Sequence, residues 1–418
     1  MRLKQKGKHH RSFGKMIGLC VGFSLLFATI LIPGQALAEK QLAAPLRFDF
    51  GPGDVADGYT QVTAKDAYTP ERGYGFTDLS KVNEENRGGS DAIRSDFVRV
   101  QGSSFVVNLP PADYTLSLIA GDTAGNTDIT VKAESIVKVE PTTKTAGQFV
   151  EAAFELALID GQLELYFSGN EAKINALVIT PKEARTAGDH PSVYLAGDST
   201  VQTYKASMKP QAGWGQMIAP FFTDETIFVN RSIGGRSTKT FLVQGRLDDI
   251  LRNIRPGDYL FIQFGHNDAA INNQERYVSP ADYKVYLKTY IQGATQRGAI
   301  PVLITPVGRR DYDAASASFR ISFPEYVQAM KETASETGVA LINLSQLSVA
   351  YYDTLGLEGT LPLFLHLEPG VFPAFPDGVK DDTHFQEYGA EQIARLVAQG
   401  VRDLNIPLSS NVKTENLQ

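Results

Sequence analysis

From residue 192 onward, short apolar runs of strand-forming residues alternate with longer segments of helical period. The pattern predicts strands at Ser192–Ala196, Thr226–Asn230, Tyr259–Phe264, Ile300–Ile304 and Val339–Asn343, and helices at Gly215–Phe222, Gln244–Asn253, Ser279–Arg297, Phe323–Thr337 and Gln386–Leu404. Strands apolar on both faces and separated by helices imply a mostly parallel sheet covered on both sides, a three-layer α/β domain. The C-terminal ends of such strands share one edge, where open α/β sheets bind ligands.

Residues 44–181 read differently. Arg47-Phe48-Asp49-Phe50, Phe105–Leu109, Tyr114–Ile119, Ile129–Val131, Gln162–Phe167 and Ile174–Ile179 alternate or run apolar, and Gly, Pro, Asn and Asp punctuate them. No long helical period interrupts, so this part is expected to be an all-β sandwich of jelly-roll type. Its opening Phe48-Asp49-Phe50-Gly51-Pro52-Gly53 and closing Ile179-Thr180-Pro181 resemble the galactose-binding-like or malectin-like modules of exported carbohydrate enzymes. Tyr59, Tyr68, Tyr74 and Phe76 are candidates for stacking on sugar rings, or for packing within the sandwich. The polar stretch 182–191 is the expected linker, and 192–408 the second domain.

Six basic residues (Arg2, Lys4, Lys6, Lys8, Arg11, Lys15) precede an apolar run from Met16 to Ile32, followed by Ala36-Leu37-Ala38. That order describes a secretory signal peptide spanning 1–38, and so a secreted protein. The run also approaches the minimum length of a membrane span, which leaves a retained anchor as the alternative. Cys20, the only cysteine, lies in this segment, so the mature protein is expected to have neither disulfides nor thiolate metal sites. Removing residues 1–38 leaves 34 basic residues against 47 acidic ones. An acidic chain without a basic run argues against nucleic acid, and against membrane surfaces after signal cleavage.

Four stretches fall at predicted strand ends or helix starts: Gly197-Asp198-Ser199, Ser232–Ser237 with Gly235 inside it, Gly265-His266-Asn267-Asp268, and Asp381-Asp382-Thr383-His384. A parallel sheet brings them to one edge, and acyl transfer needs the groups they carry. Ser199 supplies a nucleophile, although Asp-Ser-Thr is also an ordinary helix N-cap. His384 supplies a base, since histidine titrates near pH 6.5. Asp381, three residues earlier, can reach Nδ1 while Nε2 faces the serine, with Asp382 as a competing orienter. The backbone N–H groups of Ser199 and Gly235 and the Asn267 side chain are the candidate oxyanion donors. Water completes the hydrolysis, so no cofactor is required.

These four stretches, in this order, resemble the sequence blocks of the SGNH (GDSL-like) hydrolases. Ala196–Thr200, Gly213-Trp214-Gly215-Gln216, Gly235-Arg236-Ser237, Thr305-Pro306-Val307 with Arg309-Arg310, and Asp382–Phe385 are similar to the rhamnogalacturonan acetylesterase branch. The resemblance implies a flavodoxin-like fold and removal of acetyl groups from the pectin backbone, so that acetylated plant cell-wall polysaccharide is the expected partner. An acetylxylan or broad short-chain esterase is the alternative on the same fold, and a sugar-binding protein with a vestigial site is the alternative in another class.

Arg236, Arg309 and Arg310 near the predicted edge would suit a polyuronate, or are solvated surface charge. Trp214 either packs beneath the site or covers a sugar ring, and His266 is expected in a supporting role. His366 lies in an irregular stretch, 355–380, expected to be a long loop. His266, His366 and His384 lack the spacing of a helical metal motif, and no metal site is expected.

Overall fold

The computed structural model describes residues 42–417; the segment expected to be a signal peptide lies outside the described residues. From Leu46 to Pro181 every regular element apart from one short 3-10 turn is a strand, and from Ser192 strands and helices alternate. One five-stranded sheet of the first part has the order Phe149–Ala157, Asp113–Gly121, Ala176–Pro181, Leu46–Phe50, Thr60–Val62. The other has the order Tyr74–Phe76, Ser103–Asn108, Gln162–Glu171, Thr127–Ala133, Ile136–Lys144. Thr127–Ala133 shows why these sheets form a sandwich: its alternate residues Thr127, Ile129, Val131 and Ala133 are buried and the others half-buried. Both inner faces contribute to one core, at whose centre the Phe105 ring lies 5.3, 5.0 and 5.3 Å from those of Phe48, Phe50 and Phe76.

Phe76, a candidate for sugar stacking, is therefore a core residue, 1% exposed. Tyr74 packs on Phe48 at 5.1 Å, and the Tyr68 hydroxyl donates to Asn108 at 3.0 Å. Val82–Asn86, which pairs with Asp96–Val100, carried no strand signal because its sequence Val-Asn-Glu-Glu-Asn is polar on both faces.

In the second part the sheet order is Ile227–Asn230, Ser192–Gly197, Tyr259–Gln263, Ile300–Ile304, Ala340–Ile342, with every neighbour parallel. This is the 2-1-3-4-5 order of doubly wound sheets, whose crevice opens between the first and third strands. Alternate side chains divide between two cores. Val193, Leu195, Phe261, Val302 and Ile304 face Val349, Tyr352, Ile393 and Val397 from helices Leu344–Gly359 and Glu387–Asp403. Tyr194, Ala196, Leu260, Ile262 and Leu303 face Tyr283, Leu287 and Met330 from helices Pro280–Gln296 and Pro324–Thr337. Burying each large apolar side chain contributes about 1.5–3 kcal/mol, so both faces of the sheet are committed to packing and only its edge is left for chemistry.

Two expectations change here. The helix expected at 244–253 is two short helices, Thr238–Val243 and Arg246–Leu251, because Gly245 between them takes φ +71°. The stretch 355–380 is not one long loop: it holds the end of helix Leu344–Gly359, kinked at Gly356, and a hairpin of Phe364–Leu367 with Val379–Gln386.

The stretch 182–191 is anchored rather than loose. Arg185 donates to the carbonyls of Ile254, Arg252 and Leu251 at 2.7, 2.8 and 2.7 Å, satisfying acceptors at and beyond the end of helix Arg246–Leu251. Beside it, buried Asp113 of the sandwich accepts from Arg297 at 3.0 and 2.6 Å. Asp248 of the second part accepts from the sandwich's Ala157 N–H and Lys138 Nζ, both at 2.8 Å.

Candidate active site

Strand Ser192–Gly197 ends where a side chain cannot fit, since a Cβ on Gly197 would lie 2.6 Å from Val201. Asp198 Oδ1 then accepts from the Thr200 N–H at 2.9 Å and its hydroxyl at 2.8 Å, closing a turn that leaves Ser199 facing the cleft. No helix starts at this turn, so Asp198 closes a turn instead of capping one. The turn rests on a buried chain of bonds: Trp214 Nε1 donates to Gln263 Oε1, and Gln263 Nε2 to Thr200 Oγ1, each at 2.8 Å. Trp214 is 1% exposed, so the expectation that it covers a sugar ring gives way to its other reading, packing beneath the turn that carries Ser199.

Asp381 and His384 sit on strand Val379–Gln386, not on a free turn before the last helix. On a regular strand residues three apart point to opposite faces. A bulge removes that conflict: Leu365 pairs with Asp381 and Phe364 with Phe385, so Asp382–His384 stand opposite no residue. Asp381 Oδ1 accepts from the Thr383 and His384 N–H groups at 2.7 and 3.1 Å, folding the bulge over the carboxylate. His384 Nδ1 then donates to Asp381 Oδ2 at 2.7 Å, and Nε2 meets Ser199 Oγ at 2.9 Å. Burial raises the Asp381 carboxyl, but the His384 ring and the two N–H donors outweigh it and hold the pKa at about 2. The competing orienter, Asp382, faces His366 at 2.7 Å and Arg310 at 3.3 Å instead.

The loop after Ile227–Asn230 approaches the serine closely. A Cβ on Gly234 would lie 3.3 Å from Ser199 Cβ, and Gly235 has φ +76°, a conformation only glycine adopts readily. Gln202 Oε1 accepts the Gly234 N–H and fixes the loop. The N–H groups of Ser199 and Gly235 have no protein acceptor among the described residues. Asn267 Nδ2 uses one proton on the Arg236 carbonyl at 3.1 Å and keeps the other. All three residues line a cleft of about 410 Å³ with His384.

Beneath Asn267, buried Asp268 Oδ1 accepts from Thr238 N–H and Oγ1 at 2.9 and 2.6 Å, and burial pushes its pKa up to about 7. His266 Nε2 donates to the Val307 carbonyl at 3.0 Å, and burial depresses its pKa to about 4, so the ring is neutral. His266 lines the cleft, as does Arg309, whose guanidinium lies 4.7 Å from the centre of the Phe323 ring. Arg236 and Arg310 do not. Arg236 binds Gln244 and the Gly234 carbonyl, and Arg310 binds Thr360, the Leu357 carbonyl and Asp382. The sequence reading missed Tyr204, whose hydroxyl donates to the Ser199 carbonyl at 2.9 Å, together with Gln202 and Arg276, all in the lining. None of the three belongs to a block that carried chemistry. Among the described residues no group of three or more His, Cys, Asp or Glu side chains is placed to hold a metal ion, and no helix is long and apolar enough to cross a membrane.

Comparison with known proteins agrees with this architecture. Residues 193–397 match the family model GDSL-like Lipase/Acylhydrolase, and residues 46–179 match Beta-agarase/YXIM esterase-like, galactose-binding domain-like. The chain is 46% identical over 224 residues to Probable rhamnogalacturonan acetylesterase YesY of Bacillus subtilis, covering 53% of this chain and 98% of that one. It is 32% identical over 369 residues to Uncharacterized esterase YxiM of the same organism, covering 85% of this chain and 90% of that one. The crystal structure of Bacillus subtilis YxiM is 29% identical, covers 87% of this chain and 99% of that one, and has a TM-score of 0.47. With both parts of the chain matched, and with a near relative matched over almost its whole length, the chain belongs to the GDSL-like lipase/acylhydrolase family, as a serine carboxylic ester hydrolase with a galactose-binding-domain-like module in front.

Proposed function

We propose that this chain is an exported carbohydrate acetylesterase that releases acetate from acetylated rhamnogalacturonan through an acyl-enzyme on Ser199. The observation that carries the reading is the line Asp381–His384–Ser199, at 2.7 and 2.9 Å, beside the free donors of Ser199, Gly235 and Asn267. The substrate is supported by the 46% identity to a probable rhamnogalacturonan acetylesterase, and export by the order of basic, apolar and small residues in 1–38.

Ser199 Oγ attacks the acetyl carbonyl carbon while His384 Nε2 takes the hydroxyl proton. The imidazolium that forms is stabilised by the ionised Asp381, which also keeps Nδ1 protonated beforehand so that Nε2 is free to accept. The carbonyl electrons move to oxygen, where the Ser199 and Gly235 N–H groups and the Asn267 amide receive the charge. Collapse breaks the C–O bond to the sugar, and the sugar oxygen takes the proton from His384. Water, deprotonated by His384, then attacks the acetyl-serine, and acetate leaves as Ser199 regains its proton.

The test is acetate release by the protein lacking residues 1–38 from acetylated rhamnogalacturonan, acetylated xylan and p-nitrophenyl esters of increasing chain length. Each is run beside Ser199→Ala. The expected result is release mainly from the pectic polymer, abolished by the substitution. Release only from xylan or from long-chain esters would overturn the substrate and keep the mechanism.

A further inference from the structure

We propose that Arg276 binds a carboxylate of the substrate and is the residue through which this site selects an acidic polymer. The inference rests on the pectic reading above and names the group that would enforce it.

Four arginines were available to that role on sequence position or cleft lining, and their partners separate them. Arg236 and Arg310 are held by acceptors of the protein itself. Arg309 stacks on Phe323 and its charge is set against Asp198 and Asp381, so its field is partly balanced within the site. Arg276 differs. Like that of Arg309, its side chain makes no hydrogen bond or ion pair among the described residues, but it has no ring contact there either, and it lines the same cleft as Ser199.

Its backbone, by contrast, is fixed. The Arg276 N–H donates to the Asn273 carbonyl at 3.1 Å, Tyr277 N–H to the same carbonyl at 2.8 Å, and Val278 N–H to the Asp268 carbonyl at 3.0 Å. The turn therefore closes onto the residue next to Asn267, which places a free guanidinium on a held base. That guanidinium lies over Gly235: a Cβ built there would be 3.2 Å from Nη2 and 3.6 Å from Nη1. A ligand oxygen at the Gly235 N–H and a ligand carboxylate on Arg276 would thus be neighbours, as an ester and an acid on one sugar or on adjacent sugars are.

Physical chemistry favours a carboxylate as the occupant. A planar guanidinium with unsatisfied N–H groups matches a carboxylate in two parallel hydrogen bonds. The chain as a whole carries a net charge of −7, so an acidic polymer meets general repulsion that a cationic group at the cleft must offset.

The experiment compares kcat/KM for acetate release from acetylated pectic polymer with free carboxyls, from the same polymer with its carboxyls methyl-esterified, and from p-nitrophenyl acetate. Wild type, Arg276→Gln and Arg276→Lys are measured, with the thermal midpoint of each recorded. The ratio of free-acid to methyl-ester kcat/KM is expected to fall about tenfold or more in Arg276→Gln, mainly through KM, and to recover in part in Arg276→Lys. An unchanged ratio, with both polymers cleaved by wild type, would overturn the role of Arg276 and leave the pectic reading standing. Cleavage of p-nitrophenyl acetate with neither polymer touched by wild type would overturn the pectic reading and this inference with it.

Discussion

A carboxylate held at a pKa of about 2 stays ionised across the whole range in which such an enzyme works, and this sets what Asp381 contributes. An acid limb in kcat/KM above pH 4 therefore reports a group other than Asp381. Asp381→Asn keeps the size of the side chain but loses the charge and favours the wrong histidine tautomer; kcat is expected to fall about 10⁴-fold, measured on p-nitrophenyl acetate. Asn267→Ala removes one of the proposed oxyanion donors and is expected to lower kcat about 10²- to 10³-fold with little change in KM. Asp268 acts on stability. Its pKa is about 7 in the fold against about 3.9 unfolded, so the folded state binds the proton more tightly. The stability it contributes is complete below about pH 4 and is lost as pH rises through 7. Asp268→Asn can keep the Thr238 bonds, so its urea midpoint should exceed that of wild type above pH 7, and the difference should shrink toward pH 4. At this scale Ser199, Gly235, Asn267, Asp381 and His384 were legible because each belongs to a short block placed at a strand end or helix start. Arg276 and Tyr204 were not, because a lone side chain in a polar loop carries no pattern until the fold shows which way it faces.

Among the elements, the hairpin of Phe364–Leu367 and Val379–Gln386 was the least legible and has the largest part in the site. Its first strand has only four residues, and the second holds the polar run Lys-Asp-Asp-Thr-His, which does not alternate. The missing alternation is the bulge itself. Asp382 pins it from the side: its carboxylate meets His366 Nε2 at 2.7 Å and Arg310 Nη1 at 3.3 Å, while its carbonyl accepts the Arg310 N–H at 2.9 Å. The Asp382 side chain is 53% exposed, so these contacts are screened and their loss should cost less than about 1 kcal/mol of stability. A small displacement of His384 has a larger effect on rate. Asp382→Ala is accordingly expected to lower kcat about tenfold to a hundredfold with a nearly unchanged thermal midpoint, and equal losses in both would argue against a positioning role. The three central parallel strands, in contrast, read clearly, because strands packed on both faces are continuously apolar.

For the whole molecule, two kinds of period set an all-β part apart from an α/β part, but they gave no sign of how firmly the two are joined. That information is in single charged residues. Asp113, 8% exposed, faces Arg185 and Arg297, and Asp248 binds Lys138 and the Ala157 N–H across the same boundary. Removing one member of a buried, hydrogen-bonded pair leaves its partners uncompensated and costs about 3–5 kcal/mol. Wild type is expected to unfold in one calorimetric transition, and Asp113→Ala to lower its midpoint or split it in two. Two separate transitions in wild type would contradict coupling through this boundary.

The central claim is that Ser199 is the residue acylated. Incubation with a reactive aryl phosphonate ester, followed by peptide mass spectrometry, tests it directly. The account predicts a single adduct on the peptide containing Ser199, formed at the rate at which esterase activity is lost, and none in His384→Ala on the same timescale. An adduct on another residue that tracks the loss of activity, or full ester hydrolysis by Ser199→Ala, would contradict it.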